Sequence, residues 1–137
     1  MTGAVSYLLV TNVLSDLIRN PAGVVAQQIE RVGEDRVCTN AIVAAELHYG
    51  GLKSGSEQLA KRVDLILSSL TILPVDLPSD REYAALRHAL SSQGTPIGPN
   101  DLLIAAHARS LDLTVVTGNL REFQRVPGLK VENWLVK

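Results

Sequence analysis

The chain has 137 residues, of which 46% are hydrophobic and 20% charged, and its formal net charge is −1. This length fits a single domain, residues 1–137, and the composition is that of a globular protein rather than a disordered chain. The near-neutral charge excludes a domain that binds nucleic acid through overall basicity, and the sequence contains neither a membrane-spanning run nor a secretory signal. We therefore expect a cytoplasmic protein without membrane contacts.

Short β-branched runs alternate with longer amphipathic stretches, which predicts an α/β domain with a mainly parallel sheet. In the first half we predict a strand at 7–10, a helix from a Thr11 or Asn12 cap to Arg19, a helix closed by Gly33, a strand around Cys38, and a helix at 41–49 between an Asn40 cap and Gly50. The single cysteine cannot form an internal disulfide and is predicted to lie in the core.

The second half continues the alternation. We predict a helix at 57–69, an edge strand at 71–75 because of Pro74, a helix that begins at a Ser79/Glu82 capping box and ends at Gly94, a very apolar helix from Asn100, a strand at 114–117, and a short last strand within 129–136. The strand at 114–117 is the clearest of these because it is strongly β-branched.

Polar side chains collect where these elements bring strand ends and helix starts together. They are Thr11 and Asn12 after the first strand, Asp101 at the start of the apolar helix, Thr117 and Asn119 after the β-branched strand, and Glu46 on its own helix. Ligands of open α/β sheets bind beyond the carboxyl ends of the strands, so this cluster is the candidate site.

The two carboxylates of this cluster allow two interpretations each. Asp101 could be a half-buried metal ligand, or it could simply favour the helix N-terminus electrostatically. Glu46 could face the same site or be solvated surface. Together with the Asn119 amide they form a hard-oxygen set that suits Mg²⁺ or Mn²⁺ and not zinc.

Other chemistry is not supported by the sequence. The three histidines, His48, His88 and His107, are interpreted as structural or exposed, and no Ser-His-Asp set, glycine-rich phosphate loop or zinc spacing occurs. A patch of Arg109, Arg121 and Arg125 could border the site and contact RNA, although scattered arginines are commonly solvated surface.

Five ordered motifs resemble those of VapC-type toxin ribonucleases of the PIN-domain family. They are LLVTN at 8–12, AAELHYG at 44–50, GPND at 98–101, VTGNLREF at 116–123 and VPGL at 126–129. The resemblance implies a three-layer α/β/α sandwich, a Mg²⁺- or Mn²⁺-dependent endoribonuclease of structured RNA, with initiator tRNA as one candidate, and a VapB-type antitoxin that covers the active site. It also implies a homodimer and larger assemblies that contact operator DNA only through the antitoxin.

The resemblance also implies roles for individual residues. Glu46 and Asp101 match the family's second and third acids, Asn119 fills a fourth catalytic position, and Thr11, Asn12 and Thr117 match hydrogen-bonding support. The first metal-binding aspartate of the family is replaced here by Val10.

A valine at position 10 preserves side-chain shape but offers no oxygen ligand. We therefore expect an intact fold, impaired cleavage, and less repulsion among the remaining acids. The alternative function is a non-catalytic PIN module that binds antitoxin and RNA. Val10 is either a detoxifying substitution of aspartate or the mark of a natural pseudoenzyme.

Overall fold

The computed structural model describes residues 4–136, which form one five-stranded parallel sheet with helices around it. The strands are β1 (Tyr7–Leu9), β2 (Val37–Asn40), β3 (Thr71–Leu73), β4 (Thr114–Val116) and β5 (Val131–Glu132). The helices are α1 (Thr11–Arg19), α2 (Val24–Val32), α3 (Ala41–Ser54), α4 (Glu57–Ser68), α5 (Ser79–Ser92), α6 (Pro99–Ser110) and α7 (Leu120–Phe123). The predicted α/β class with a parallel sheet is confirmed.

The strand order is β3-β2-β1-β4-β5, and every recorded pairing is parallel. The central strand β1 pairs with β2 on one side and with β4 on the other. Successive crossovers therefore run in opposite directions on the two sides of β1, and such a switch point opens a crevice at the carboxyl ends of the strands. The predicted edge position of β3 is confirmed.

The central strands of this sheet carry consecutive apolar residues because both faces of the sheet are covered. Leu8, Leu9, Val115 and Val116 are completely buried, and Cys38 in β2 is buried beside them. This continuous pattern is typical of parallel strands between two helix layers. Burial raises the pKa of the Cys38 thiol to about 12, so its predicted role as a core residue is confirmed.

Helix α3 is longer than predicted. Gly50 and Gly51 do not end it, and it continues to Ser54, where Gly55 adopts a left-handed φ of 69°. Gly51 is buried where α3 packs on α4, and a Cβ there would make ordinary van der Waals contact with the Cα of Ala60, at 3.5 Å. The interpretation of the glycine pair as a stop was wrong because the packing of α3 outweighs the propensity cost of two glycines.

Two predicted helix caps are also wrong. Val10, not Thr11 or Asn12, is the N-cap of α1, and its side chain makes no capping hydrogen bond. In α5 the N-cap is Pro78, so Ser79 is already helical, and its hydroxyl lies 3.3 Å from that of Ser110. Among residues 4–136, no helix has both the length and the apolar character required to span a membrane.

Candidate active site

A cavity of about 400 Å³ opens at the carboxyl ends of β1 and β4. Its lining residues are Val10, Thr11, Asn12, Ser15, Arg19, Glu46, Asp101, Thr117, Asn119 and Phe123. All six side chains that the sequence assigned to the site therefore lie around one cavity, although they come from four separate segments of the chain.

Glu46 is held in a fixed orientation by two donors from other helices. The Thr11 hydroxyl donates to its Oε1 at 2.6 Å, and the Asn100 amide donates to its Oε2 at 3.3 Å. Thr11 thus bonds across the cavity instead of capping its own helix. Hydrogen bonds to an ionised carboxylate are stronger than neutral ones, so α1 and α6 are both tied to α3 through this side chain.

Asn12 and Thr117 fix the loop that follows β4. The Asn12 amide oxygen accepts from the backbone N–H of Gly118 at 3.1 Å, and the Thr117 hydroxyl accepts from that of Asn119 at 2.9 Å. A Cβ at Gly118 would lie only 2.6 Å from Cδ1 of Leu135, so a larger residue would require that side chain to move. Asn12 thus ties the loop to α1, while Thr117 closes a turn within the loop.

Asp101 and Glu122 lie close enough for each to shift the pKa of the other. Burial, the hydrogen bond with Glu122 and the charges of Glu122 and Glu46 raise the pKa of Asp101 to about 7. The same hydrogen bond lowers the pKa of Glu122, helped by the Gly98 N–H and by Arg125 and opposed by burial. Asp101 is therefore the member of the pair that holds a proton more readily, and Glu122 is the one that ionises first.

Glu122 was missed in the sequence, which directed attention to Asn119 instead. The Asn119 amide nitrogen donates to Glu122 Oε2 at 2.9 Å, and the Gly98 N–H donates to Oε1 at 2.9 Å. Asn119 and Glu122 are three residues apart at the start of α7, which is the spacing of a capping box. From that spacing alone, the Glu122 side chain could have been expected to fold back toward Asn119.

Val10 brings an apolar side chain into a cavity that is lined mostly by polar residues. It is 4% exposed, and its backbone is extended, with φ −92° and ψ 177°. Its N–H bonds to the Val116 carbonyl, while its carbonyl accepts from Leu14 and starts α1. Aspartate is among the preferred residues at an N-cap of this geometry, whereas valine has no atom that can accept the cap bond.

The side-chain oxygens of this cavity are of the type that a hard divalent cation prefers, but there are few of them. Carboxylate and amide oxygens are the ligands of Mg²⁺ and Mn²⁺, and a carboxyl kept protonated by its neighbours has the crowding that a cation relieves. Within the described part of the chain, however, no three His, Cys, Asp or Glu side chains converge closely enough to hold a metal ion.

The histidines and arginines take up positions away from this chemistry. His107 is buried, its Nδ1 lies 3.0 Å from the Asn40 amide nitrogen, and burial lowers its pKa, so its predicted structural role is confirmed. Arg109 pairs with Glu82 at 3.4 Å, and neither it nor the other two arginines of the predicted patch lines the cavity. The lining cation is Arg19, which the sequence did not single out.

Comparison with known proteins agrees with this architecture. The family model described as PIN domain matches residues 7–129. Ribonuclease VapC2 of Haemophilus influenzae is 40% identical over 131 residues, which cover 94% of this chain and 98% of that protein. The tRNA(fMet)-specific endonuclease VapC of Salmonella typhimurium is 36% identical over 129 residues, covering 93% and 97%.

A solved structure gives the same result in three dimensions. The chain is similar to one in VapBC2 from Rickettsia felis bound to a DNA fragment from their promoter, with a TM-score of 0.88, 38% identity, and coverage of 93% of this chain and 98% of that chain. The fold is therefore that of a PIN-domain nuclease. More narrowly, the chain belongs to the VapC ribonucleases of the PIN-domain family.

Proposed function

We propose that this chain is the toxin component of a VapBC-type toxin–antitoxin system and that its cavity is the site of a metal-dependent endoribonuclease. The observation that carries the proposal is the placement of Glu46, Asp101 and Asn119 around one cavity at the ends of β1 and β4. Structured RNA is the proposed substrate, and tRNA is the first candidate because the Salmonella relative is named a tRNA(fMet)-specific endonuclease.

The proposed cofactor is Mg²⁺, or Mn²⁺ in its place, held by Asp101 and Glu46 with Glu122 beside them. PIN-domain ribonucleases are generally dependent on divalent metals, and the oxygen donors of this cavity suit such ions. When bound, the cation would activate a water for attack on the phosphodiester and stabilise charge on the phosphate and the leaving oxygen.

The residues of this chain have separable tasks in the proposed site. Thr11 and Asn100 hold Glu46 in place by donating to its two oxygens. Because the pKa of Asp101 is raised to about 7, a cation that binds it below that pH must displace a proton. Asn12 and Thr117 keep the loop of Asn119 against the cavity, so that the amide and Glu122 stay together.

Val10 is the reason to consider a second function for the same fold. Its methyl groups occupy a wall of the cavity where a ligand oxygen would complete the cation site. A chain with this substitution would keep its surfaces for antitoxin and RNA while turning over slowly or not at all. A non-catalytic PIN module is therefore the alternative candidate, and it differs from the first in turnover rather than in partners.

The proposed partners follow from the solved relatives. The VapBC2 structure from Rickettsia felis is bound to a fragment of promoter DNA. For this chain we propose a VapB-type antitoxin as partner, a homodimer within a larger assembly, and contact with operator DNA only through the antitoxin. Within these assemblies the chain contributes one PIN domain that acts on RNA in the cytoplasm.

The test is a tRNA cleavage assay with Mg²⁺ on three purified chains: the parent, Val10→Asp and Val10→Asn. Only the aspartate variant regains a charged ligand, so it should cleave at least about 100-fold faster than the parent, since even groups around metal ligands alter activity about 10- to 100-fold. EDTA should abolish the gain. The asparagine variant controls for polarity and should stay near the parent.

The outcome separates the two candidate functions. Cleavage by Val10→Asp alone supports an impaired ribonuclease, and strong cleavage by the parent would show that Val10 does not limit the site. If Val10→Asp is as inert as Val10→Asn while both remain folded, the proposed ribonuclease site is wrong and the binding module is favoured.

A further inference from the structure

Helix α1 presents a polar line toward the acidic cavity. The helix buries Val13, Leu14, Leu17 and Ile18 against the core. Thr11, Ser15 and Arg19 follow one another at four-residue intervals, which places them on one side of the helix. All three line the cavity, and they also line a neighbouring hollow of about 230 Å³ between α1, α3 and α4.

Arg19 ends this line as the only cation among the residues that line the cavity. It is exposed, and across residues 4–136 its guanidinium takes part in no recorded ion pair or side-chain hydrogen bond. By contrast, Arg109 is paired with Glu82, and Arg125 donates to the Pro96 carbonyl at 3.1 Å. Arg19 is therefore free to bind an anion.

An RNA strand that enters this cavity brings phosphates toward the carboxyl groups of Glu46 and Asp101. The negative phosphates and the carboxylates repel each other, and salt screens this repulsion poorly in a partly buried cavity. A guanidinium at the rim offsets that repulsion and can bind a phosphate through two parallel N–H donors. Arg19 is the lining residue whose chemistry provides this compensation.

The helix geometry fixes which phosphate Arg19 can reach. Arg19 lies eight residues beyond Thr11, or about 12 Å along the helix axis at 1.5 Å per residue. Helical side chains lean toward the N-terminus of their helix, which is the end of α1 at the acids. Arg19 therefore borders the cavity at a point displaced along α1 from Thr11, so it would contact a phosphate other than the one at the carboxylates.

We infer that Arg19 binds a backbone phosphate of the RNA next to the scissile one and so positions the strand across the acidic cavity. The inference rests on the proposed function, because it assumes that RNA enters this cavity. It assigns to the last turn of α1 a role in substrate binding that depends on charge and not on base identity.

The test compares binding of unfractionated bacterial tRNA by the parent chain, Arg19→Gln, Arg19→Lys and Arg31→Gln. Fluorescence anisotropy over a series of KCl concentrations in Mg²⁺ gives both affinity and its salt dependence, and a gel verifies that the RNA stays intact. Arg31 is the matched control because it is also exposed and in the last turn of a nine-residue helix, but lies outside the cavity.

We expect RNA affinity to fall only when the arginine that lines the cavity is replaced. Arg19→Gln should weaken binding about three- to tenfold and reduce the slope of log K against log salt by about 0.7 to 1, the share of one phosphate contact. Arg19→Lys should recover most of both, because it restores the charge. Arg31→Gln should behave as the parent, and all four chains should have the same melting temperature within about 2 °C.

The contrary results show whether the proposed function fails or only the role of Arg19. A parent chain that binds no tRNA at any salt concentration overturns the proposed function together with the inference. A parent that binds tRNA, with Arg19→Gln indistinguishable from Arg31→Gln, overturns only the inference. Unchanged tRNA binding with weakened antitoxin binding would assign Arg19 to the protein interface and would also overturn it.

Discussion

Two neighbouring strands of the sheet are each followed by a helix whose N-cap has an extended backbone, but one N-cap side chain is apolar and the other is polar. Val10 follows β1 and Asn40 closes β2, and each is the extended N-cap of the helix that follows. The Asn40 side chain accepts from the Val43 N–H at 3.0 Å and lies 3.0 Å from His107 Nδ1, whereas the Val10 side chain makes no cap bond.

The difference shows how one local geometry serves either stability or chemistry. Asn40 is completely buried, and its amide joins the start of α3 to α6, the two helices that carry Glu46 and Asp101. Position 10 faces the cavity, where a polar cap would point toward those acids instead of into the core. The position with an unsatisfied cap is thus the one where a carboxylate could act on a ligand.

Breaking the Asn40 cap should have the largest effect on stability. Asn40→Val makes position 40 resemble position 10, removing a cap and leaving buried His107 without its partner, at a cost of about 2–4 kcal/mol in unfolding free energy. Urea unfolding measures this. Ser56→Ala removes the exposed N-cap of α4, whose hydroxyl accepts from the Leu59 N–H, and should cost only about 0.5–1 kcal/mol in unfolding free energy. Equal losses would mean that the contact between Asn40 and His107 contributes nothing.

Converting position 10 into a carboxylate should have the next largest effect. In EDTA, Val10→Asp adds a charge next to Asp101 and should lower the unfolding free energy by about 1–3 kcal/mol, partly offset by the new cap. Mg²⁺ should reverse the loss, since a ligand that binds only the folded state stabilises it. Thermal melts with and without Mg²⁺ measure both effects.

The asparagine variant tests the charge in this experiment. Val10→Asn can cap α1 but adds no negative charge, so Mg²⁺ should shift its melting temperature no more than it shifts that of the parent. If Mg²⁺ raises the melting temperatures of Val10→Asp and Val10→Asn equally, then position 10 does not contribute a ligand and the assignment of the cation site to this end of β1 fails.

The sequence predicted the parts of this site that depend on strand ends. Leu8–Leu9 and Val115–Val116 were recognisable because strands buried on both faces are apolar throughout. Parallel strands bring their carboxyl ends to one edge, so Thr11 after β1 and Thr117 after β4 could be placed together from the sequence. The family resemblance then assigned Val10 its place in the site.

The parts that could not be predicted depend on how separate segments pack. The pairing of Asp101 with Glu122 joins residues 21 positions apart, and only the turn of the loop after β4 brings them together. Arg19 was taken as the end of a helix because the apolar side of α1 shows which residues face the core but not which exposed residues border the cavity. Gly51 was taken as a stop because its close contact with α4 is tertiary.

The smallest expected effect concerns the pH dependence of stability without metal. The pKa of Asp101 is raised from 3.8 to about 7 in the folded protein, so the folded state binds more protons than the unfolded state within that window. Stability from this group is therefore fully present below pH 3.8 and is lost as the pH rises through about 7. Glu122, whose pKa is lowered, contributes the opposite slope at more acidic pH.

Asp101→Asn removes this titration and should stabilise the metal-free protein at about pH 8 while matching the parent at about pH 4. Unfolding free energies in EDTA at the two pH values measure the difference. Asp112→Asn is the matched control, because this exposed acid pairs only with Lys130 and has a φ of 55° that asparagine tolerates. If the unfolding free energies of Asp101→Asn and Asp112→Asn change equally with pH, Asp101 and Glu122 do not repel each other. The cavity would then lack the charge repulsion that a bound cation would relieve.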